Sequence, residues 1–260
     1  MTNSARARAF DRAAAQYGAY RPAYPTALFE VMEDLAGRRL RGARVADIGA
    51  GTGIATALLH ARGARVLGVE PGAAMAAEFR RRLPGVPLVR GDGNRLPLAD
   101  RSAEFVTYAQ SFHWTDPALS IPEAARVLRP GGALALFWNE PDVSVPWIAG
   151  QDARLREAFG PGWYVSDHTL PDSAPAFTRR RMLWSRRVSL DAHLAKLATH
   201  SLFLVDGRPG TREFLAEERA LLAREFPAGE VEEHYAVTLR LTVPVPASAS
   251  APGGSHSSGS

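Results

Sequence analysis

Cysteine is absent from the 260-residue sequence. Disulfide bonds, thiolate metal ligands and cysteine nucleophiles are therefore excluded. Long apolar runs are also missing: none approaches the roughly 18 residues of a membrane-spanning helix, and residues 1–8 lack the apolar core of a secretory signal. We therefore expect a cytoplasmic protein that does not associate with membranes.

Lysine is nearly absent as well, since Lys196 is the only one and arginine supplies almost all of the positive charge. The net charge is only +4. The basic runs are short and lack the repeated aromatic interleaving of a surface that binds nucleic acid; they are Arg80–Arg82, Arg179–Arg181 and Arg186–Arg187. We interpret them as solvated faces or strand edges. A nucleic-acid partner is not expected.

Candidate metal ligands are scattered along the chain. His193, His200 and His234 form no H-x-x-x-H pair and have no carboxylate at ligand spacing. We therefore expect no metal site.

What the sequence does contain is one stretch, residues 44–57, that combines a short apolar run, closely spaced glycines and a helical pattern. The apolar run ends at Ile48, and Gly49, Gly51 and Gly53 follow. This order predicts a strand, a tight turn and a helix, as at the start of a nucleotide-binding βα unit. Glycine is required because the turn needs backbone angles that a Cβ forbids and because a ligand approaches the main chain closely.

Two details of this stretch indicate which nucleotide binds. A dinucleotide fingerprint reads G-x-G-x-x-G, whereas here the third glycine, Gly53, comes one residue early. Asp47 adds a carboxylate at the end of the strand, which would repel a pyrophosphate and attract a ligand that carries an ammonium and a sulfonium. S-adenosylmethionine is a nucleoside with both cations and no phosphate. An NAD-dependent dehydrogenase is disfavoured on the same grounds.

A second acidic residue, Glu70, directly follows the next predicted strand, 65–69. It follows Gly49 at the spacing at which an acidic side chain accepts hydrogen bonds from two ribose hydroxyls. We predict that Glu70 binds the ribose.

In these motifs the chain resembles the class I S-adenosylmethionine-dependent methyltransferases, in the small-molecule branch that includes ubiquinone/menaquinone-type and trans-aconitate-type enzymes. The resemblance covers roughly residues 10–140 and is weak beyond. It implies that the loop 91–94 meets the adenine, with Asp92 accepting from the exocyclic amine and the Gly93 N–H donating to a ring nitrogen. The cofactor contacts implied together are Asp47, Gly49, Ala50, Gly51, Gly53, Glu70, Pro71, Asp92, Gly93 and Gln110.

Residues 6–20 predict an amphipathic helix, and the segment 11–25 resembles the family's lid over cofactor and substrate. Tyr17 and Tyr24 either belong to this lid or pack the helix on the sheet. Arg21 is the better functional candidate, because its guanidinium can form a bidentate pair with the methionine carboxylate.

Residues 110–114, GlnSerPheHisTrp, directly follow the predicted fourth strand, 105–109. Ligands of open α/β sheets bind beyond the carboxyl ends of the strands, so His113 would face the crevice and act as a general base. Alternatively, His113 and Trp114 hydrogen-bond the cofactor loop or cap the next helix. Enzymes that methylate amines of DNA bases typically carry Asn/Asp-Pro-Pro-aromatic here, so AlaGlnSerPhe at 109–112 argues against nucleic-acid substrates.

The predicted fold is a single α/β domain with a Rossmann-like, doubly wound, seven-stranded sheet that is mostly parallel with an antiparallel last strand. We assign residues 1–42 to an N-terminal helical lid, 43–243 to the catalytic domain with a substrate region at about 140–178, and 244–260 to a disordered tail. Aromatic and polar residues after the strand ends line an acceptor pocket or belong to the core; the candidates are Tyr24, Phe112, Trp114, Trp138, Asn139 and Trp147.

The predicted function is transfer of the methyl group of S-adenosylmethionine to a small organic acceptor, with S-adenosylhomocysteine as product. The branch resemblance favours an oxygen or carbon acceptor over nitrogen and suggests specialised metabolism. An enzyme that binds the same cofactor and catalyses a cyclisation or rearrangement without methyl transfer is the alternative.

Overall fold

The computed structural model describes residues 14–160, 169–199 and 210–244. Its helices are α1 (Ala14–Tyr20), α2 (Thr26–Ala36), α3 (Ile54–Ala61), α4 (Ala73–Arg82), α5 (Pro117–Val127), α6 (Pro146–Phe159), α7 (Leu190–Leu197) and α8 (Thr211–Glu225). Its strands are β1 (Arg44–Ile48), β2 (Arg65–Glu70), β3 (Leu88–Arg90), β4 (Ala103–Ala109), β5 (Leu128–Pro141), β6 (Thr178–Ser189) and β7 (Glu230–Thr242).

The strands form one seven-stranded sheet in the order β3-β2-β1-β4-β5-β7-β6. Strands β1 to β5 pair in parallel, and β7 is antiparallel to both of its neighbours, β5 and β6. The predicted mostly parallel sheet with an antiparallel last strand is confirmed. The strand order reverses at β1, which pairs with β2 on one side and β4 on the other, so a crevice opens beyond the ends of these strands.

Helices cover both faces of the sheet, and each face has its own apolar core. Successive strand residues point to opposite faces, so Phe105 and Phe137 join one core while Val106 and Trp138 join the other. All four are essentially inaccessible to water. Central strands that are buried on both faces need near-continuous apolar runs, which explains the pattern of β4 and β5. The rigid sheet fixes the strand ends that form the site.

Several predicted features fall outside the described residues. The N-terminal helix is described only from Ala14, and residues 161–168 of the predicted substrate region, His200 and the region from 245 onward lie outside. Among the described residues, no helix has the length and apolar character to span a lipid bilayer. The same ranges contain no group of three His, Asp or Glu side chains arranged to hold a metal ion.

Candidate active site

A cavity of about 420 Å³ opens at the carboxyl ends of β1, β2, β4 and β5. Its volume lies within the range of small-molecule sites. The predicted residues that line it are Tyr17, Arg21, Tyr24, Gly49, Ala50, Gly51, Glu70, Pro71, Asp92, Gly93, Gln110, Trp114 and Asn139. Residues far apart in the chain therefore meet at one site, as the strand-end argument predicts.

The glycine turn after β1 is held against the neighbouring strand. The N–H groups of Gly49 and Ala50 both donate to the carbonyl of Val69, over 2.8 and 3.1 Å. Gly49 has φ +65°, and a Cβ there would lie 2.5 Å from the Ser111 Cβ. Glycine is needed at this position both for its backbone angle and for close packing against the end of β4.

Glu70 links the glycine turn to the loop after β2. One carboxylate oxygen accepts from the Gly51 N–H over 2.8 Å, and the other accepts from the Gly72 N–H over 2.7 Å. The side chain lines the cavity although Glu70 is only 6% exposed. The carboxylate is therefore held in the cavity wall by the main chains of both loops.

The loop after β3 forms the next part of the wall. The Asp92 carboxylate accepts from the Asn94 N–H over 2.8 Å, which fixes the turn. Gly93 is buried, and a Cβ there would meet Thr115 Cγ2 at 2.7 Å. The Tyr108 hydroxyl donates to the Gly93 carbonyl over 3.2 Å. The loop thus has little freedom to move where the resemblance places the adenine.

Gln110 and Asn139 connect the ends of β4 and β5 through an amide pair. Gln110 Oε1 accepts from the Asn139 N–H, and Gln110 Nε2 donates to the Asn139 carbonyl, both over 3.1 Å. The backbone of Gln110 has φ +56°, an uncommon angle for a residue with a side chain. Such a conformation persists only where the surroundings fix it, and such residues cluster at functional sites.

The segment 14–24 covers the cavity and is fastened to both sides of it. Arg82 donates to the Gly18 carbonyl, and Arg186 Nη2 donates to the Tyr20 carbonyl over 2.8 Å. Asn139 Nδ2 donates to the Ala23 carbonyl over 3.1 Å. Tyr24 lines the cavity and also packs edge-on against Phe137, with ring centroids 5.0 Å apart, so it takes part in both of the predicted roles.

Asn139→Ala is expected to loosen this cover. The variant loses the bond to Ala23 and the bond that Trp184 Nε1 donates to Asn139 Oδ1 over 2.9 Å. Each lost hydrogen bond in a buried setting costs about 1 kcal/mol, so we expect a loss of about 2 kcal/mol of unfolding free energy and weaker ligand binding. Urea denaturation measures the first and calorimetry with S-adenosylhomocysteine the second. Ser102→Ala is the control, because the Ser102 hydroxyl donates to the Ala99 carbonyl over 2.7 Å and Ser102 does not line the cavity, and equal ligand affinity in both variants would contradict this role.

Asp47 occupies a different place from the one predicted. Its carboxylate is buried below the glycine turn, where it accepts from the hydroxyls of Thr56 over 2.6 Å and Thr107 over 2.9 Å, and it is not among the residues that line the cavity. Burial raises its pKa to about 6, although the two hydroxyls act in the opposite direction. The carboxylate faces the core because both threonines lie on that side, so its influence on a ligand is electrostatic through the turn.

His113 also differs from its expected position, because the cavity is lined by Trp114 and Thr115 and not by His113. Phe112–Trp114 forms a 3₁₀ turn, in which successive side chains point in directions about 120° apart. Phe112 therefore enters the core and contacts Tyr108 and Trp138. His113 is therefore not among the described residues of the cavity wall.

Four other predicted residues likewise do not line the cavity. Phe112 and Trp138 belong to one face of the core, and Trp147 packs against Phe226 with ring centroids 5.4 Å apart. Gly53 precedes α3 at φ +87°, and a Cβ there would lie 2.6 Å from Leu83. Gly53 thus allows close packing below the turn. The three aromatic residues pack within the protein, which is the second of the two alternatives that the sequence left open for them.

Lys196 and Tyr235 are among the lining residues that the motifs did not identify, and they lie on α7 and β7, beyond the part of the chain that the resemblance covers. Lys196 Nζ lies 2.5 Å from Glu233 Oε1, and the Tyr235 hydroxyl donates to Glu233 Oε2 over 2.7 Å. Burial opposes the charge of Glu233, but Lys196, His193 and then Arg186 outweigh it and hold the Glu233 pKa well below its usual range. The one signal in the sequence was that Lys196 is the sole lysine.

Comparison with known proteins identifies the family. The profile described as a methyltransferase domain matches residues 46–136. An uncharacterised methyltransferase of Mycobacterium tuberculosis H37Rv is 36% identical over 216 residues, which cover 82% of this chain and 85% of the relative. The chain belongs to the class I S-adenosylmethionine-dependent methyltransferases.

Other relatives of this methyltransferase cover less of it or are more distant. A demethylmenaquinone methyltransferase of Beutenbergia cavernae is 41% identical over 96 residues, 36% of this chain and 40% of the relative. A solved structure provisionally assigned as a type II methyltransferase from Anaeromyxobacter dehalogenans superposes with a TM-score of 0.69 at 24% identity, covering 88% of this chain and all of that one. The latter shows that the methyltransferase fold extends over almost the whole chain.

Proposed function

We propose that this methyltransferase transfers the methyl group of S-adenosylmethionine to an oxygen or carbon of a small organic acceptor. The proposal rests on the observation that two separate groups of residues line one cavity, and we call them the first and the second wall. Glu70 and the glycine turn line one end, and Asn139 and Tyr235 line the part beyond the end of β5. A ligand held at the first wall leaves the second wall for an acceptor.

The residues at the first wall fit the chemical groups of this ligand. Glu70 would hold the ribose, Asp92 and the Gly93 N–H the adenine, and Arg21 the methionine carboxylate. Arg21 donates to the Thr199 side chain over 3.0 Å and to its carbonyl over 3.1 Å. A guanidinium has five N–H donors, so donors remain for a carboxylate.

S-adenosylmethionine supplies a methyl group on a positively charged sulfur, which makes it reactive toward an electron pair. The chain's own contribution is to align the acceptor and to exclude water. The cover formed by residues 14–24, with Tyr17 and Tyr24 in the wall, serves the second purpose.

Release of S-adenosylhomocysteine is the decisive measurement. Purified protein is incubated with methyl-labelled S-adenosylmethionine and candidate acceptors, beginning with demethylmenaquinone from the name of one relative. Labelled product and one equivalent of S-adenosylhomocysteine per turnover are expected. Acceptor conversion without S-adenosylhomocysteine would instead indicate a cyclisation or rearrangement, and absence of S-adenosylmethionine binding in calorimetry would contradict the proposal altogether.

His113→Ala is expected to leave the single-turnover rate within about threefold of the wild type. The reason is that His113 does not line the cavity, whereas its neighbour Trp114 does. Trp114→Ala is the matched variant and is expected to be slower by at least tenfold, because it enlarges the space in which the ligands must be aligned. A general base contributes roughly 100-fold or more, so a loss of that size in a folded His113→Ala would restore its role as a base.

A further inference from the structure

Lys196 and Tyr235 form the end of the cavity that is most distant from Glu70 along the sheet. Tyr235 lies on β7, opposite Pro141 at the end of β5, whereas Glu70 ends β2. The strand order β2-β1-β4-β5-β7 places four strand spacings between them, roughly 19 Å at about 4.8 Å each. This end of the cavity therefore belongs to the acceptor half of the proposed site.

The geometry leaves Lys196 able to bind a ligand. Its Nζ pairs with Glu233 Oε1 at 2.5 Å and donates to the Tyr235 hydroxyl oxygen over 3.1 Å. An ammonium has three N–H donors, so among the described residues these partners leave one donor for a ligand in the cavity. The Lys196 side chain is only 10% exposed, so this donor lies in a setting largely shielded from water.

The charges around Lys196 do not balance within the described residues. Lys196 and Arg186 both pair with Glu233, at 2.5 and 2.7 Å. Two cationic side chains thus share one carboxylate, which leaves one positive charge in excess. The next carboxylate, Glu218, is already paired with Arg154.

The other titratable group in contact with Glu233 does not restore the balance. His193 Nδ1 lies 2.7 Å from Glu233 Oε1. Burial and then Lys196 lower the pKa of His193 from its ordinary 6.5, so the ring adds no negative charge and little positive charge at neutral pH. Burial of unbalanced charge is costly unless a ligand of opposite sign compensates it.

We infer that the acceptor is a small organic acid whose carboxylate binds Lys196 Nζ at this end of the cavity. The inference rests on the proposed function, in which Arg21 takes the methionine carboxylate and one excess positive charge remains for the acceptor. Pro141, which pairs with Tyr235 across β5 and β7, also lines the cavity and gives the acceptor body an apolar surface beside the charge.

The test compares acids with their uncharged amides on the full-length protein saturated with S-adenosylhomocysteine. Calorimetry is performed with benzoate and benzamide, cinnamate and cinnamamide, and octanoate and octanamide. At least one acid is expected to bind ten or more times more tightly than its amide. Lys196→Met is expected to reduce this ratio to below three while its affinity for S-adenosylhomocysteine stays within threefold of the wild type.

Two further variants make the test specific for charge. Glu233→Gln removes the carboxylate that raises the pKa of Lys196, whereas burial, Arg186 and Arg21 lower it. The preference for the acid is therefore expected to persist at pH 6 and to fall as the pH is raised to 9, which provides an answer that does not depend on the folding of Lys196→Met. Arg219→Met removes an exposed cation that pairs with Asp191, and the preference is expected to be unchanged. Thermal melting confirms that each variant is folded.

Four results would overturn the inference. They are the absence of any preference for an acid in the wild type, its persistence in folded Lys196→Met, its loss in Glu233→Gln at pH 6, and a tenfold loss of S-adenosylhomocysteine affinity in Lys196→Met. The last would assign Lys196 to the methionine carboxylate. Failure of the wild type to bind S-adenosylhomocysteine at all would contradict the proposed function instead.

Discussion

Glu70→Ala is expected to lower the affinity for S-adenosylhomocysteine about 100-fold, equivalent to about 2.8 kcal/mol. The carboxylate would accept from two ribose hydroxyls, and hydrogen bonds to a charged group contribute about 1.5 to 3 kcal/mol each. Alanine would also release the N–H groups of Gly51 and Gly72, which Glu70 holds at 2.8 and 2.7 Å. The variant therefore loses both the direct contact and the order of the two loops that surround the ligand.

Calorimetry at fixed ionic strength measures this loss. Glu30→Ala is the matched control, because it removes an acid whose side chain is 64% exposed and lies on α2, away from the cavity lining. Glu70→Asp tests geometry, since it keeps the charge but shortens the reach, and we expect an affinity between those of Glu70→Ala and the wild type. A less than threefold effect of Glu70→Ala would remove Glu70 from the binding site.

Asp47→Asn is expected to stabilise the fold at pH 8 by about 1 to 3 kcal/mol. The pKa of the buried Asp47 carboxyl is about 6, compared with an ordinary 3.8, so its ionised form costs about 3 kcal/mol in the folded state. Asparagine removes this charge. Part of the gain is offset because the amide nitrogen cannot accept the hydrogen bond that Thr56 or Thr107 now donates.

The sign of the pH dependence follows from the raised pKa. Between about pH 4 and pH 6 the folded protein binds more protons at Asp47 than the unfolded chain does, so the wild type loses stability as the pH rises through this window. The variant has no such dependence at this position. The difference in unfolding free energy between variant and wild type should therefore grow from pH 4 to pH 7 and then level off.

Urea denaturation at pH 4.5 and pH 8 tests this expectation. Asp34→Asn, a change at an exposed position on α2, is the control and should show a difference below 0.5 kcal/mol at both pH values. An equal difference for Asp47→Asn at both pH values would contradict the raised pKa. The same variant should bind S-adenosylmethionine more weakly, because it removes the negative charge below the glycine turn, so stability and ligand affinity should change in opposite directions.

The half of the site that lies at β1 to β3 could be predicted from the sequence because its signals are local. A glycine turn directly after a strand, and an acid at the end of the next strand, determine their own surroundings within a few residues. Gly49, Gly51 and Glu70 accordingly line the cavity. The parallel sheet could also be predicted from local patterns, because apolar runs alternate with helical patterns over residues 44–139.

Local patterns did not predict the direction of the Asp47 side chain or the residues in the proposed acceptor half of the cavity. Both depend on contacts between distant parts of the chain. Asp47 faces inward because Thr107, 60 residues later, donates to it. The cavity receives Tyr235 only because β7 inserts between β5 and β6, and no local pattern encodes that insertion. Glu233 lies on the same inserted strand, which brings it to Lys196 although 37 positions of sequence separate the two. Local motifs therefore predicted residues of the half of the cavity that we propose for the methyl donor, whereas the proposed acceptor half depends on tertiary structure.

The fastening of residues 14–24 has a kinetic consequence. The segment lines the cavity, and its carbonyls are held by Arg82, Arg186 and Asn139, so we expect a ligand to leave only when the segment opens. If each bond contributes about 1 kcal/mol, opening the segment costs about 3 kcal/mol, and fewer than one molecule in a hundred is open at a given moment. We therefore expect dissociation of the spent methyl donor, and not the chemical step, to limit turnover, with a burst of methylated product in the first catalytic cycle.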